Sequence, residues 1–306
     1  MNNNRFFRAL SAPYLVWMAI FIIVPLILIA VFAFTTTVTV NADGEIMSEE
    51  QLAEYTAACE EEGTEPVLSE RTVFTFANIL ECSKYIKTLM NSIWLAFIAT
   101  VICLLIGYPL AYFISCARYR VQKFLIMLVM LPMWMNFLLR TYAWMTLLER
   151  NGLINKVLGM IGLGPFEMIN TQGAVVLGMV YNYLPFMILP LYTTMMKIDR
   201  RVVEAAQDLG ANSLRTMSRV ILPLSVPGIA SGITMVFVPS VSTFIISRML
   251  GGGTNMLIGD LIDLQFLGNA YNPNLGAAMS LVLMVFVFLC MSITNQMDNQ
   301  DMEGVV

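Results

Sequence analysis

Residues 204–223 read EAAQDLGANSLRTMSRVILP, a charged stretch that separates two long apolar runs of the chain. Asp199 can cap a helix that starts at the next residue, because its side-chain oxygen can accept a hydrogen bond from a free backbone N–H. Gly210 can end that helix, because glycine accepts the left-handed backbone that a C-terminal turn requires. Asn212 or Ser213 can cap a second helix. The stretch therefore predicts two short helices joined by a tight turn.

Both predicted helices are amphipathic. Their apolar positions are Val203, Ala206, Leu209, Leu214, Met217 and Ile221. Their charged positions are Glu204, Asp208, Arg215 and Arg219, and the two carboxylates are four residues apart on one face. An apolar face of this kind needs cover, either from a groove on a partner protein or from the membrane surface. The spacing alone leaves both alternatives open.

The rest of the chain is suited to a lipid bilayer. Of its 306 residues, 58% are hydrophobic and 12% are charged, whereas soluble domains contain about 25% charged residues. A helix that crosses the hydrocarbon core needs about 20 apolar residues. Six runs satisfy that criterion, at about 13–34, 88–115, 124–148, 173–196, 226–246 and 276–294. The sequence predicts an all-α integral membrane protein whose residues 1–306 form a single domain with six transmembrane helices.

Lysine and arginine are distributed unevenly between the links that join these spans. Ten of them fall on one side, at Arg5, Arg8, Arg118, Arg120, Lys123, Lys197, Arg200, Arg201, Arg215 and Arg219. The other side holds Arg71, Lys84, Lys87, Arg150, Lys156 and Arg248, spread over many more residues. Because positive charge is enriched in cytoplasmic loops, we expect both termini, the link 197–225 and the tail 295–306 to be cytoplasmic. Residues 35–87 are then an extracytoplasmic loop.

This loop contains an acidic insertion at 41–70, which runs from Asp43 to Glu70. Three interpretations of the insertion are open. It is a solvated loop, which an acidic sequence poor in aromatic residues favours, a docking surface for a basic partner, or a funnel for cations. Cys59 and Cys82 lie in the same hydrophilic part of the chain. They are expected either to form a disulfide, if this part faces an oxidising compartment, or to remain two thiols.

Composition excludes several kinds of chemistry. The chain has no histidine, so it has no HExxH zinc site, no Ser-His-Asp triad and no histidine proton relay. Its five cysteines show no CxxC spacing, and no metal site is predicted. Nucleic-acid binding has no support, because no basic stripe with interleaved aromatic residues occurs. Composition therefore favours transport or scaffolding over catalysis.

The stretch quoted first resembles the EAA loop of ABC-importer permeases. The resemblance rests on Glu204-Ala205-Ala206, three residues, Gly210, nine residues and then Val220-Ile221-Leu222-Pro223, with valine where the family pattern has isoleucine. It implies a type I importer (MetI-like) permease fold, in which this loop is a coupling helix seated in a separate ATPase subunit. The coupling residues that it implies are Glu204, Ala205, Ala206, Asp208, Gly210, Arg215, Leu222 and Pro223.

The same resemblance bears on catalysis and cofactors. The chain contains no GxxxxGK-S/T motif, so it is not the nucleotide-binding subunit. ATP-Mg is expected on the partner ATPase, and no cofactor is expected on this chain. We therefore expect a transport subunit rather than an enzyme.

Four further stretches are similar to the B-type permease subunit of spermidine/putrescine importers. They are NSIWLAFIATVICLLIGYPLAYFIS (91–115), LPMWMNFLLRTYAW (131–144), YNYLPFMILPLYTTMMKID (181–199) and GGGTNMLIGDLIDLQFL (251–267). This resemblance implies a polyamine substrate and a bacterial inner membrane location. It also implies a cytoplasmic ABC ATPase dimer, a second homologous permease and an extracytoplasmic substrate-binding protein as partners. The acidic insertion is longer than the family pattern.

A polyamine carries several ammonium groups, so its path calls for carboxylates and for aromatic faces that give cation–π contacts of about 0.5–2 kcal/mol each. Asp260 and Asp263 lie three residues apart and would share one face of a helix, where they either gate the entrance or form the wet face of an interfacial helix. The aromatic candidates are Trp134, Tyr142, Trp144, Tyr181 and Tyr183. Aromatic residues near span ends are also common interfacial anchors.

Arg140 is an intramembrane charge within the predicted span 124–148. Its insertion costs about 2.5–3.5 kcal/mol unless the side chain snorkels or pairs. A cationic substrate would be repelled by it. We therefore expect Arg140 to have a structural role and to pair with a carboxylate.

The sequence predicts a permease subunit of an ATP-driven importer that forms half of the translocation path for polyamines. Another small solute, such as iron(III), thiosulfate or a phosphonate, is an alternative within the same class. A stand-alone secondary transporter would need a membrane-buried ion site, yet the spans hold almost no ionisable residues besides Arg140. A membrane enzyme would need a nucleophile–base or metal constellation, and the sequence contains none.

Overall fold

The computed structural model describes residues 13–14, 16–40, 51, 59, 69–253, 255–268 and 271–303. The chain divides into two compact units. The first comprises Met1–Tyr85 and Ile262–Met284, and the second comprises Ile86–Leu261 and Val285–Val306. The description of residues 1–306 as one transmembrane domain stays a prediction.

The first unit begins with an apolar helix. Residues 16–18 are helical, Ala19–Ile23 form a π-helical turn, and Val24–Ala33 form helix α1. Most side chains of this helix are exposed, which suits a helix surrounded by lipid rather than by water. Ala33, at its end, is buried against Ala277 and Ala278 of the same unit.

An antiparallel hairpin follows α1, and the sequence analysis did not predict it. Strand β1 (Thr35–Val40) pairs with strand β2 (Ser69–Phe74). The run TTTVTV in β1 consists of β-branched residues, which fit a pleated strand, so the sequence does contain a signal for it. Helix α2 (Ala77–Glu81) and a 3-10 turn (Cys82–Tyr85) follow the hairpin.

The buried side chain of Asn78 ties α2 to the end of α1. Its Nδ2 donates to the carbonyl oxygens of Ala33, at 3.3 Å, and of Thr35, at 2.8 Å. Its Oδ1 accepts a hydrogen bond from Oγ1 of Thr36 at 3.2 Å. The last carbonyls of a helix have no partner within the helix, so Asn78 satisfies one of them and fixes the start of β1.

The second unit is helical. Its helices are α3 (Ile86–Cys116), α4 (Tyr119–Met130), α5 (Phe137–Leu148), α6 (Leu153–Met160), α7 (Gln172–Met195), α8 (Arg200–Asp208), α9 (Ser213–Thr216), α10 (Leu222–Leu224), α11 (Val226–Val241) and α12 (Ile245–Gly251). A 3-10 turn, Leu131–Trp134, follows α4, and a π-helical turn, Met217–Ile221, follows α9. Helices α13 (Ile258–Leu267) and α14 (Pro273–Glu303) contribute residues to both units.

Helix α7 lies at the centre of the second unit, and α3 and α11 pack against it. Buried residues of α7 include Met179, Met187, Ile188 and Leu191. Gly232 lets α11 approach closely, because a Cβ atom there would lie 2.6 Å from Sδ of Met187. Helices in lipid associate through such close packing, since lipid tails are as apolar as the side chains themselves.

The predicted span 124–148 is not one continuous helix. Tyr119–Trp134 and Phe137–Met160 meet at an angle of 89°. Met135 between them is extended, and the side chain of Asn136 accepts a hydrogen bond from a backbone N–H of α5 at 2.8 Å. A helix that starts at its own capping residue can take a new direction, which the apolar composition of the run does not reveal.

A second bend occurs at Ser225, where Ser213–Leu224 and Val226–Val241 meet at 66°. Among the described residues, four helices are long and apolar enough to cross a membrane, or six if each bent pair is one span. The four are Val16–Ala33, Ala77–Cys116, Gln172–Met195 and Pro273–Thr294. The predicted run 226–246 is interrupted, because α11 ends at Val241 before α12 begins.

Candidate functional site

Residues 199–225, here called the elbow, contain the stretch with which the sequence analysis began. Asp199 caps α8, because its Oδ1 accepts a hydrogen bond from the N–H of Arg201 at 3.0 Å. Gly210 follows α8 with a φ of +85°, in the left-handed region. The predicted helix start and turn are therefore confirmed.

The second limb of the elbow begins at Asn212, the first of the two predicted caps. Its Oδ1 accepts a hydrogen bond from the N–H of Arg215 at 2.9 Å. The limb continues to Leu224 through α9, the π-helical turn and α10, rather than as one regular α-helix. Ser225 is buried where the chain enters α11, and its Oγ lies 3.0 Å from the Tyr108 hydroxyl on α3.

The tip of the elbow exposes large apolar side chains. Leu209 is 90% exposed and Leu214 is 80% exposed. Val203 and Ala206 are half-buried, and Leu209 follows the last residue of α8. Uncovered apolar surface of this kind is typical of a docking site.

The residues that the resemblance implies for coupling lie together on the elbow. Ala206 is half-buried, and the others are exposed: Glu204, Ala205, Asp208, Gly210, Arg215, Leu222 and Pro223.

A cavity of about 370 Å³ separates α8 from the ends of α3 and α7. Its lining includes Tyr112, Cys116, Met195, Val203, Glu204 and Ile221. The cavity therefore lies between α8 and the cytoplasm-facing ends that the sequence predicts for α3 and α7.

Among the aromatic candidates, the structure brings Trp144 and Tyr181 together. Their ring centroids are 5.3 Å apart in an edge-to-face arrangement, and both residues are half-buried. Tyr183 is buried, and its hydroxyl donates to the carbonyl oxygen of Pro239 at 3.3 Å. Trp134 and Tyr142 are exposed. Only the first pair therefore offers adjoining aromatic faces.

Asp260 is buried at the start of α13. Its Oδ2 accepts a hydrogen bond from the N–H of Leu257 at 2.9 Å, and its Oδ1 lies 4.0 Å from Nε of Arg248. The N–H of Ile258 donates to Oγ of Ser92 on α3 at 2.8 Å. These two hydrogen bonds satisfy the backbone N–H groups of Leu257 and Ile258, which have no partner within the helix because they lie at its start. Asp260 therefore does not lie on a solvent-exposed face of an interfacial helix, which was one of the two positions predicted for it.

The second carboxylate of the predicted pair, Asp263, is half-buried. The sequence analysis did not identify Ser92 and Arg248 as residues that surround the start of α13. Their positions along the chain carry no spacing signal that links them to Asp260. Only the folded chain brings these residues into contact.

Arg140 is a buried cation on α5, with 8% of its surface exposed. Its Cζ lies 5.8 Å from the centre of the Phe137 ring, a cation–π contact. Its Nε and Nη1 are buried and make no hydrogen bond with any residue that the structure describes. The expected carboxylate partner is not found within the described ranges. The buried carboxylate of Asp260 lies near Arg248 instead.

Most of the acidic insertion 41–70 lies outside the described residues, so its predicted roles stay predictions. Cys59 and Cys82 both belong to the described part of the chain, and they are not joined by a disulfide. Of the two alternatives that the sequence left open for this pair, the structure has the one without a disulfide.

Residues 104–300 match the protein family described as "Binding-protein-dependent transport system inner membrane component". The matched range covers more than half of the chain and includes the elbow and α7. The chain belongs to this family. As an inner membrane transport component, it has the membrane role that its apolar helices indicate.

This transport component is similar in sequence to two curated relatives. It is 34% identical over 293 residues to the spermidine/putrescine transport system permease protein PotB of Haemophilus influenzae, with 94% of each chain covered. It is 39% identical over 223 residues to the protein of the same name from Escherichia coli K12, covering 72% of this chain and 81% of the relative. The resemblance predicted from the sequence is confirmed.

The fold of this transport component is also found in a solved structure. A chain of a bacterial ABC transporter involved in the import of the acidic polysaccharide alginate matches it with a TM-score of 0.71 and 18% identity. The match covers 97% of this chain and 96% of the other. The predicted fold class, an importer permease, is confirmed.

Proposed function

We propose that this chain is a permease subunit of an ATP-driven importer of polyamines and forms half of the translocation path. Family membership supports the permease role. The names of the two relatives, both spermidine/putrescine permeases, support the substrate class. The absence of a GxxxxGK-S/T motif supports the proposal that ATP-Mg and its hydrolysis belong to a separate subunit.

The proposal includes three protein partners. A cytoplasmic ATPase dimer receives the elbow, a second homologous permease completes the path, and an extracytoplasmic binding protein delivers the substrate. The chain lies in a bacterial inner membrane with both termini in the cytoplasm. The enrichment of lysine and arginine in the links on one side supports this orientation.

The observation that carries the proposal is the exposed apolar tip of the elbow, where Leu209 and Leu214 flank the left-handed Gly210. Each leucine that becomes fully buried on a partner contributes about 1.5–3 kcal/mol. The exposed Glu204 and Arg215 add charges that can orient such a partner. The elbow therefore combines an apolar anchor with a polar rim, as protein interfaces do.

The geometry of the elbow also supports a mechanism by which closure of the ATPase subunits moves the permease. When ATP binding closes the two ATPase subunits, they draw the elbows of the two permeases together, and the path switches between two states. The cavity beneath α8 supports this step, because it leaves the helix room to shift. The half-buried rings of Trp144 and Tyr181 are the best-supported aromatic contacts for an ammonium group.

The coupling role is tested by Leu209→Asp. We expect the affinity for the ATPase subunits to fall about ten- to a hundredfold, because a buried leucine contributes about 1.5–3 kcal/mol. Uptake should fall in parallel, while insertion of the chain into the membrane is unchanged. Met160→Asp, at a similarly exposed apolar residue on α6, is the matched control. Normal ATPase retention in Leu209→Asp would contradict the proposal.

The substrate is tested separately. Cells that express the complete transporter should accumulate labelled spermidine, and unlabelled putrescine should compete with it. Uptake should stop when ATP is depleted and continue when an ionophore collapses the ion gradients. Competition by iron(III), thiosulfate or a phosphonate but not by putrescine would reassign the solute. ATP-independent uptake would instead indicate a secondary transporter.

A further inference from the structure

Three phenylalanines from separate stretches of the first unit converge at the end of α1. Phe34 follows α1, Phe74 ends β2, and Phe76 precedes α2. The ring centroids are 5.8 Å apart for the first two, 5.5 Å for the first and third, and 5.3 Å for the last two. The rings pack in stacked and edge-to-face arrangements, so they form one aromatic cluster.

The outer surface of this cluster is not covered by the chain. Phe74 is 65% exposed and Phe76 is 59% exposed, and Leu80 on the adjoining α2 is exposed as well. Three large apolar side chains close together would be unfavourable in water. A contiguous apolar patch of this kind indicates contact with a membrane or with another molecule.

The position of the cluster favours the membrane. Phe34 is the first residue after Ala33, where the apolar helix Val16–Ala33 ends. The N–H of Thr75 donates to the carbonyl oxygen of Phe34 at 2.8 Å. Together with the hydrogen bonds of Asn78 to the carbonyl oxygens of Ala33 and Thr35, this bond holds the rings beside the end of this apolar helix.

The sequence next to the cluster is strongly acidic, and this charge explains why a membrane anchor would be needed here. Residues 41–68, which join the two strands, contain nine acidic residues and no lysine or arginine. Anionic lipid headgroups repel such a segment. An apolar anchor at the base of the hairpin opposes that repulsion.

We propose that Phe34, Phe74 and Phe76 insert into the boundary between headgroups and acyl chains and anchor the hairpin on the bilayer surface. The occupant of this surface is lipid rather than protein, because the cluster continues the apolar surface of a membrane helix. The anchor fixes the base of the acidic insertion close to the membrane. The inference does not depend on the solute that is transported.

The test uses tryptophan fluorescence in nanodiscs of phosphatidylcholine and phosphatidylglycerol. Phe76→Trp and, separately, Phe74→Trp are compared with the wild type, whose four tryptophans give the baseline. Phosphatidylcholine brominated near the headgroup or near the chain end serves as the quencher. Free N-acetyl-tryptophanamide in buffer is the water reference, and Phe97→Trp, an exposed residue within α3, is the acyl-chain control.

We expect the emission added at positions 74 and 76 to be blue-shifted and quenched more strongly by bromine near the headgroup. The emission added at position 97 should show the opposite preference, and the free tryptophan reference should not be quenched. Unquenched emission at positions 74 and 76 would overturn the proposal. A blue shift that appears only after the extracytoplasmic binding protein is added would also overturn it and assign the surface to a protein partner. Retained uptake confirms that the variants fold.

Discussion

At the scale of single residues, Arg140 shows how a buried charge can lack its expected partner. Its Nε and Nη1 make no hydrogen bond with the described residues, and its Cζ makes a cation–π contact with the ring of Phe137. A cation–π contact returns about 0.5–2 kcal/mol, whereas an unsatisfied buried donor costs about 1–3 kcal/mol. Two such donors, Nε and Nη1, together cost about 2–6 kcal/mol, so we expect Arg140 to destabilise the fold of the isolated chain.

Arg140→Met should therefore stabilise the purified chain by about 1–3 kcal/mol, because methionine fills a similar volume and removes the unsatisfied donors. Thermal unfolding in nanodiscs measures the effect. Arg248→Met is the matched comparison and should destabilise the chain, because it removes the cation nearest to the buried carboxylate of Asp260. A lower unfolding temperature for Arg140→Met would show that Arg140 has a stabilising partner after all.

At the scale of elements, the elbow is a structure whose two limbs depend on one turn. Gly210 has a φ of +85°, and a Cβ atom there would meet nothing within 4 Å. The restriction on this position therefore comes from the backbone alone and not from crowding. A residue other than glycine in the left-handed region costs about 1–3 kcal/mol, except that asparagine tolerates it better.

Gly210→Val should distort the turn and reduce ATP-dependent uptake several-fold, while the chain still inserts into the membrane. Gly210→Asn is the matched control and should retain most of the activity, because asparagine adopts the left-handed conformation more readily. Uptake of labelled substrate and retention of the ATPase subunits are the two measurements. Equal activity of the two variants would show that the left-handed turn is not required for coupling.

The elements also show which features can be predicted from local sequence. Asp199, Gly210 and Asn212 act within a few residues of their own positions, and the sequence analysis identified all three. Asn136 acts locally too, yet its effect is to redirect a helix by 89°. Its cap can be recognised from sequence, but the new direction depends on the helices against which α5 packs.

At the scale of the whole molecule, the second unit is organised around α7. Methionine, leucine and valine side chains of α7 fill the space between α3 and α11. Gly232 lets α11 approach so closely that a Cβ atom there would lie 2.6 Å from Sδ of Met187, which would have to shift. The close packing of this unit, rather than its hydrophobicity, holds its spans together.

Gly232→Leu should force α11 away from α7 and destabilise the unit by about 1–3 kcal/mol or more. Gly159→Leu is the control, because a Cβ atom there meets nothing within 4 Å. The yield of monodisperse protein after solubilisation and the thermal unfolding temperature measure the difference. If both variants behave like the wild type, the contact between α7 and α11 is not limiting for stability.

The sequence by itself determined the membrane class, the helical elbow and the permease family, because hydropathy, capping residues and the EAA pattern are all local properties of the chain. The tertiary structure alone decided which polar groups meet. Ser92 caps the N–H of Ile258 across 166 positions of sequence, and Asn78 closes the end of α1 across 45. Such contacts depend on how helices pack in three dimensions, and no periodicity along the chain encodes them. The same reason applies to Arg140, for which no carboxylate partner is found among the described residues once its surroundings are known.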